Sequence, residues 1–112
     1  MKLLTPRIHG AIDYVVVFFL LLSPTIFGLS HYVSTLTYGL GCVHLILTLF
    51  TNFEYGFFKI IPLSVHGWIE LTVSVILIVA PWLLGFSENF VDRIFYMSFG
   101  VSVFATWLVT DY

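Results

Sequence analysis

Residues 7–30 and 64–87 carry one pattern twice, RIHGAIDYVVVFFLLLSPTIFGLS and SVHGWIELTVSVILIVAPWLLGFS. At a fixed offset of 57 residues, His9/His66, Gly10/Gly67, Ile12/Ile69, Val16/Val73, Leu20/Leu77, Pro24/Pro81, Gly28/Gly85 and Ser30/Ser87 are identical, and Asp13 is answered by Glu70. Polar pairs and helix breakers rarely recur by accident in so apolar a chain, so the sequence reads as a tandem duplication. Whatever one unit folds into, its copy must complete. The second halves align best at an offset of 58, through Tyr38/Tyr96, Val43/Val101 and Thr48/Thr106.

The solvent for this fold is lipid. Of 112 residues, 60% are hydrophobic and only 9% charged, with mean hydropathy +1.06. A soluble domain carries about 25% charged residues to face water. Four apolar runs, 8–28, 32–51, 65–85 and 90–109, approach the ~20 residues that carry a helix across a ~30 Å hydrocarbon core. They lack the polar/apolar alternation of a barrel wall, so the spans are helices. The expected fold is all-α: a polytopic membrane protein with four transmembrane helices, arranged as two helical-hairpin repeats. Asp92 and Arg93 make the fourth span the weakest. One membrane domain over 1–112, with repeats at about 7–55 and 64–112, accounts for the whole sequence.

Charge orients the spans. Lys2, Arg7 and Lys59 fall on the side of the termini and Arg93 on the other, which places both termini in the cytoplasm and gives the repeats parallel topology. No small-residue cleavage site follows the first run, so it is expected to stay as an anchor. The single Cys42 rules out an internal disulfide framework. A net charge of −2 with four Lys/Arg leaves no basic patch for nucleic acid. The sequence contains no nucleophile–base pair, phosphate loop or nucleotide motif, and no enzyme is expected.

The positions kept in both first helices are 9, 12, 13, 16, 20 and 24, mirrored at 66, 69, 70, 73, 77 and 81. Steps of three and four residues put them on one helical stripe, expected to be the protein-packed face. His9 and Asp13, and likewise His66 and Glu70, stand at i and i+4 on that stripe. Ionised acids inside a membrane span cost about 2.5–3.5 kcal/mol at the centre and must face inward toward partners. His44, about eight residues from the end of the returning second helix, is expected in a layer with Asp13 and Glu70. His9 and His66 then lie nearer the interface, and Ser102 takes the place of His44 in the second repeat. Such pairs suit structural hydrogen bonding between helices, or a proton or cation site. The His-x-x-x-acid spacing can also supply metal ligands, and axial ligation of haem would fall to His9 and His66. No cofactor is called for by the rest of the sequence. Ser23-Pro24 with Gly28, and Ala80-Pro81-Trp82 with Gly85, read as helix stops, Trp82 being an interface anchor. Gly39, Gly41 and Gly100 are placed to let backbones approach closely.

The segment Ala80-Pro81-Trp82-Leu83-Leu84-Gly85-Phe86 resembles the Ser-Pro-Trp signature of the SPW-repeat proteins, small bacterial membrane proteins. The likeness extends to the His-Gly-x-x-acid starts at His9 and His66 and to the Thr- and acid-bearing ends of the second helices. The first copy reads Ser23-Pro24-Thr25 and the second has Ala80 for Ser, so each departs at one position. The resemblance implies a pair of transmembrane helices per repeat, the signature at the end of the first, and a bacterial inner membrane. It brings no activity with it. The expected role is structural, in assembly or partner binding. A proton- or cation-linked permease or channel using His9, Asp13, His44, His66 and Glu70 is the alternative, and a metal- or haem-binding protein the second. The bilayer, further copies of the chain or another membrane protein are the expected partners.

Overall fold

The computed structural model describes residues 3–112, which form α1 (Pro6–Phe27), α2 (His31–Phe50), α3 (Leu63–Leu83) and α4 (Phe90–Leu108). Lys2, used above for orientation, lies outside the described residues. Each helix boundary falls within two residues of the expected run. The helices α1, α2 and α3 are long and apolar enough to cross a membrane, whereas α4, with Asp92 in its first turn, does not reach that apolarity. The chain is a helical membrane protein.

Local chemistry sets the ends. Thr5 Oγ1 accepts the Ile8 amide at 3.2 Å, and Pro6 follows at the first helical position, where its missing N–H costs nothing. Gly28 (φ 64°) and Gly85 (φ 80°) take the left-handed turn after α1 and α3. Pro24 and Pro81 sit inside their helices, within the last turn, so each helix stops at its glycine end and not at its proline.

Helix α1 packs on α2 and α3 on α4. Small residues set both approaches. A Cβ on Gly41 would lie 3.1 Å from Leu21 Cδ2, and one on Gly100 3.0 Å from the backbone nitrogen of Ile78 and the carbonyl of Ser74. Gly39, by contrast, faces open space, so it takes no part in the close approach. The same contacts correct the register of the repeat. Leu21 and Ile78 are 57 apart, but Gly41 and Gly100 are 59 apart, as are the starts of α2 and α4 at His31 and Phe90. The link between α3 and α4 is longer, and the expected offset of 58 placed the second helices one residue out of register. That slip pairs exposed Tyr38 with buried Tyr96. In the corrected register His44 is answered by Val103, not Ser102.

Away from the termini the two hairpins close over an apolar core of Leu20, Leu29, Val33, Leu77, Ala80, Phe86 and Phe95. Two polar ties cross it. Thr37 donates to the Val33 carbonyl at 2.7 Å, so Tyr96 donates to Thr37 Oγ1 at 2.8 Å. The Ser30 amide donates to buried Asp92 Oδ1 at 3.0 Å. Large apolar side chains such as Val15, Phe18, Trp68 and Val75 cover the outside.

The two glycines give opposite expectations. Gly100→Ala forces α3 and α4 apart and should destabilise the protein by about 1–3 kcal/mol, the cost of overpacking. Gly39→Ala meets nothing within 4 Å and should stabilise by about 0.5–1 kcal/mol through helix propensity. Denaturant unfolding of the two variants in detergent checks both signs.

Candidate functional site

The end of the bundle that carries both termini is built by exchange between hairpins. The amides of Leu3 and Leu4 donate to the Val109 carbonyl at 2.7 and 2.9 Å, and the Asp111 amide donates to the Leu4 carbonyl at 2.8 Å. The other junction repeats this. Ile60 and Ile61 donate to the Phe50 carbonyl at 2.9 and 2.8 Å, and Asn52 donates to the Ile61 carbonyl at 2.7 Å. Each first helix is thus sewn, just before it starts, to the tail of the other hairpin's second helix. This seats Thr110 beside His9 and Thr51 beside His66.

Counting protons at those threonines fixes the imidazoles. Thr110 Oγ1 gives its one proton to the Thr106 carbonyl at 2.6 Å, so it can only accept from His9 Nδ1 at 2.7 Å. Thr51 Oγ1 likewise donates to the Leu47 carbonyl at 2.6 Å and accepts from His66 Nδ1 at 2.8 Å. Both rings are therefore held with Nδ1 protonated and Nε2 turned inward.

The Nε2 atoms face carboxylates. His9 Nε2 lies 3.3 Å from Asp13 Oδ1 and 2.8 Å from Glu70 Oε2. His66 Nε2 lies 3.2 Å from Asp13 Oδ2 and 3.7 Å from Glu70 Oε2, without hydrogen-bonding geometry to either. All four residues are buried, none more than 6% exposed. A ring protonated on Nδ1 presents Nε2 as a lone pair able to take up a proton or bind a metal ion, and at His9 the Tyr112 hydroxyl also stands 3.4 Å from that nitrogen. His44 Nε2 approaches Asp13 Oδ1 at 3.4 Å from α2. Tyr112, beyond the end of α4, donates to Glu70 Oε2 at 2.6 Å. Burial first, then the Glu70 charge, push the Tyr112 phenol well above its ordinary range, so it stays a donor.

The structure brings all five expected residues together. His9 and His66 precede their acids by one helical turn, and their inward nitrogens reach Asp13 and Glu70, so each acid lies against both histidines. A cavity of about 90 Å³ adjoins the cluster, reaching Asp13, His44 and Glu70 at one end and Leu20, Leu77 and Phe99 at the other. The helix-end set lies elsewhere. Ser23, Pro24, Ala80 and Pro81 are buried in the opposite half, Trp82 is exposed, and Gly28 and Gly85 make the turns.

Thr51, Thr110 and Tyr112 were not among the expected residues. Their signal was present: Thr51-Asn52-Phe53 and Thr110-Asp111-Tyr112 match at the corrected offset of 59. In each the aromatic residue covers its own hairpin's glycine, Phe53 over Gly10 and Tyr112 over Gly67, while the threonine reaches the other hairpin's histidine.

The sequence profile of the SPW repeat domain matches residues 7–110. No curated protein and no solved structure matches the chain.

Removing one donor tests how far the cluster depends on its surroundings. Tyr112→Phe takes away the hydrogen bond to buried Glu70 and should cost about 1.5–3 kcal/mol, the range for bonds to charged groups. Thermal unfolding in detergent measures it. Tyr38→Phe, at an exposed position, serves as a near-neutral comparison.

Proposed function

The chain belongs to the SPW repeat family, and from that premise we propose that it is a non-enzymatic membrane protein that works by assembly inside the bilayer. Its His/acid cluster is the latch that joins the two hairpins. The observation that carries this reading is the exchange of threonines, Thr51 to His66 and Thr110 to His9, which makes each hairpin complete the other. The packed half above the cluster, closed by Leu20, Val33 and Leu77, favours a binding role over a straight path across the membrane. The apolar flanks then serve lipid, a second copy of the chain or a membrane-protein partner. The distribution of Arg7 and Lys59 against Arg93 supports both termini in the cytoplasm, and the family setting supports a bacterial inner membrane.

A cation-linked permease is the second reading. It is favoured by the cavity that ends on Asp13, His44 and Glu70, because ionisable groups inside a membrane protein are functional candidates by default.

One double variant separates the two. Asp13→Asn with Glu70→Gln is expected to shift the unfolding midpoint downward and to change the oligomer size in detergent. Proteoliposomes of native protein are expected to show no pH- or cation-dependent flux. Native flux that the double variant abolishes, with unchanged oligomer size, would replace assembly by permeation.

A further inference from the structure

We infer that His9, Asp13, His66 and Glu70 bind one divalent first-row transition-metal ion of the zinc class, on the line where the two hairpins meet. This goes beyond the assembly reading, which requires only that the hairpins join.

The distances fit such an ion. Zinc holds nitrogen and carboxylate oxygen at about 2.0–2.2 Å in a tetrahedron, so neighbouring ligand atoms stand about 3.4 Å apart. Here the inward nitrogens and the carboxylate oxygens are separated by 2.8, 3.2, 3.3 and 3.7 Å. One atom from each of the four residues falls within 4.8 Å of all the others. The nitrogen–oxygen separations are thus near the edge lengths of a coordination shell, with Asp13 turning one oxygen to each histidine, on two helices from different hairpins.

The surroundings are those a metal ligand needs. A ligating histidine donates its other ring N–H to a fixed acceptor, which sets the tautomer and aims the lone pair. Thr110 and Thr51 do this for His9 and His66, and each is itself fixed by donating to a helix carbonyl. Tyr112 orients the Glu70 carboxylate by donating to Oε2 at 2.6 Å, its hydroxyl lying 3.4 Å from His9 Nε2. Independently of the cluster's composition, His66 Nε2 is buried, points into the centre and makes no hydrogen bond. Its lone pair is thus available to a cation between the two acids, as is that of His44 Nε2 beside Asp13.

Charge selects a dication. Two carboxylates with two neutral imidazoles leave two negative charges in an apolar bundle, which one divalent ion neutralises. The donor set, two imidazoles and two carboxylates with no thiolate, suits zinc and its first-row neighbours rather than copper(I). Cys42 is exposed and takes no part.

The test uses full-length protein in nanodiscs, stripped with a chelator and titrated with ZnCl2 and separately with CoCl2. One ion per chain is expected, and the cobalt form should show the intense visible absorption of four-coordinate Co2+. His9→Gln and His66→Gln should abolish binding. Thr51→Val and Thr110→Val keep all four ligands and should weaken it about 10–100-fold, which keeps the test decisive if a ligand variant does not fold. His31→Gln, which removes an exposed histidine, should change nothing. No binding by native protein, or binding that His31→Gln removes and His66→Gln leaves intact, overturns the site. Oligomer size measured on the metal-free protein judges the assembly reading separately.

Discussion

Two threonine hydroxyls, each already committed to its own helix, decide how this bundle closes. Thr51 and Thr110 have no proton left to give to a histidine, so they can only accept one. Each therefore fixes the ring on the opposite hairpin and turns its second nitrogen toward the acids. Lipid is as apolar as leucine, so the hydrophobic effect does not pull the hairpins together. Packing and hydrogen bonds must do it. Interhelical hydrogen bonds in membranes average about 0.6 kcal/mol each, so no single tie suffices. The paired backbone bridges, the two Thr–His bonds and the acids between them form one network, and Thr37–Tyr96 and Ser30–Asp92 hold the other half.

Within this frame the glycines and the polar cluster have separate tasks. Gly41 and Gly100 bring the helices of each hairpin close, a contact made without any polar group. The cluster acts between hairpins. That division explains why the stripe on α1 and α3 alternates in character: His9, Asp13, His66 and Glu70 at one end, Leu20 and Leu77 beyond them. The polar end joins the two units and the apolar end fills the space they enclose.

Much of this was legible in the sequence, and for physical reasons. A 3.6-residue stripe kept in both copies identified the inward face of α1 and α3, because burial of acids in lipid forces such a face. The convergence of His9, Asp13, His66 and Glu70 followed from it. What was not legible depended on loop length. The α3–α4 link lengthens the spacing of the second helices to 59 residues, and an alignment at 58 hid the match of Thr51 with Thr110 and of Phe53 with Tyr112. Helical spacing alone also could not supply the cross-hairpin bridges of Leu4 to Thr110 and of Ile61 to Thr51, contacts between residues with no local pattern, which seat each threonine at the other hairpin's histidine.

Depth accounts for why the cluster sits where it does. Asp13 is seven residues after Pro6 and Glu70 seven after Leu63, roughly 10 Å along each helix at 1.5 Å per residue. An ionisable group costs less there than at the bilayer centre, and the tails of α2 and α4 are close enough to supply Thr51, Thr110 and Tyr112. Moved one turn deeper, the same four residues would lose those partners and meet only Leu20, Leu77 and the apolar core. His44 breaks the symmetry of the arrangement, since Val103 occupies its place in the second repeat, and it approaches Asp13 at 3.4 Å. The two carboxylates are therefore not equivalent: Asp13 is approached by three imidazoles, Glu70 by two imidazoles and a phenol. A repeated sequence has produced a centre with one side open to the cavity through His44 and the other closed by Tyr112.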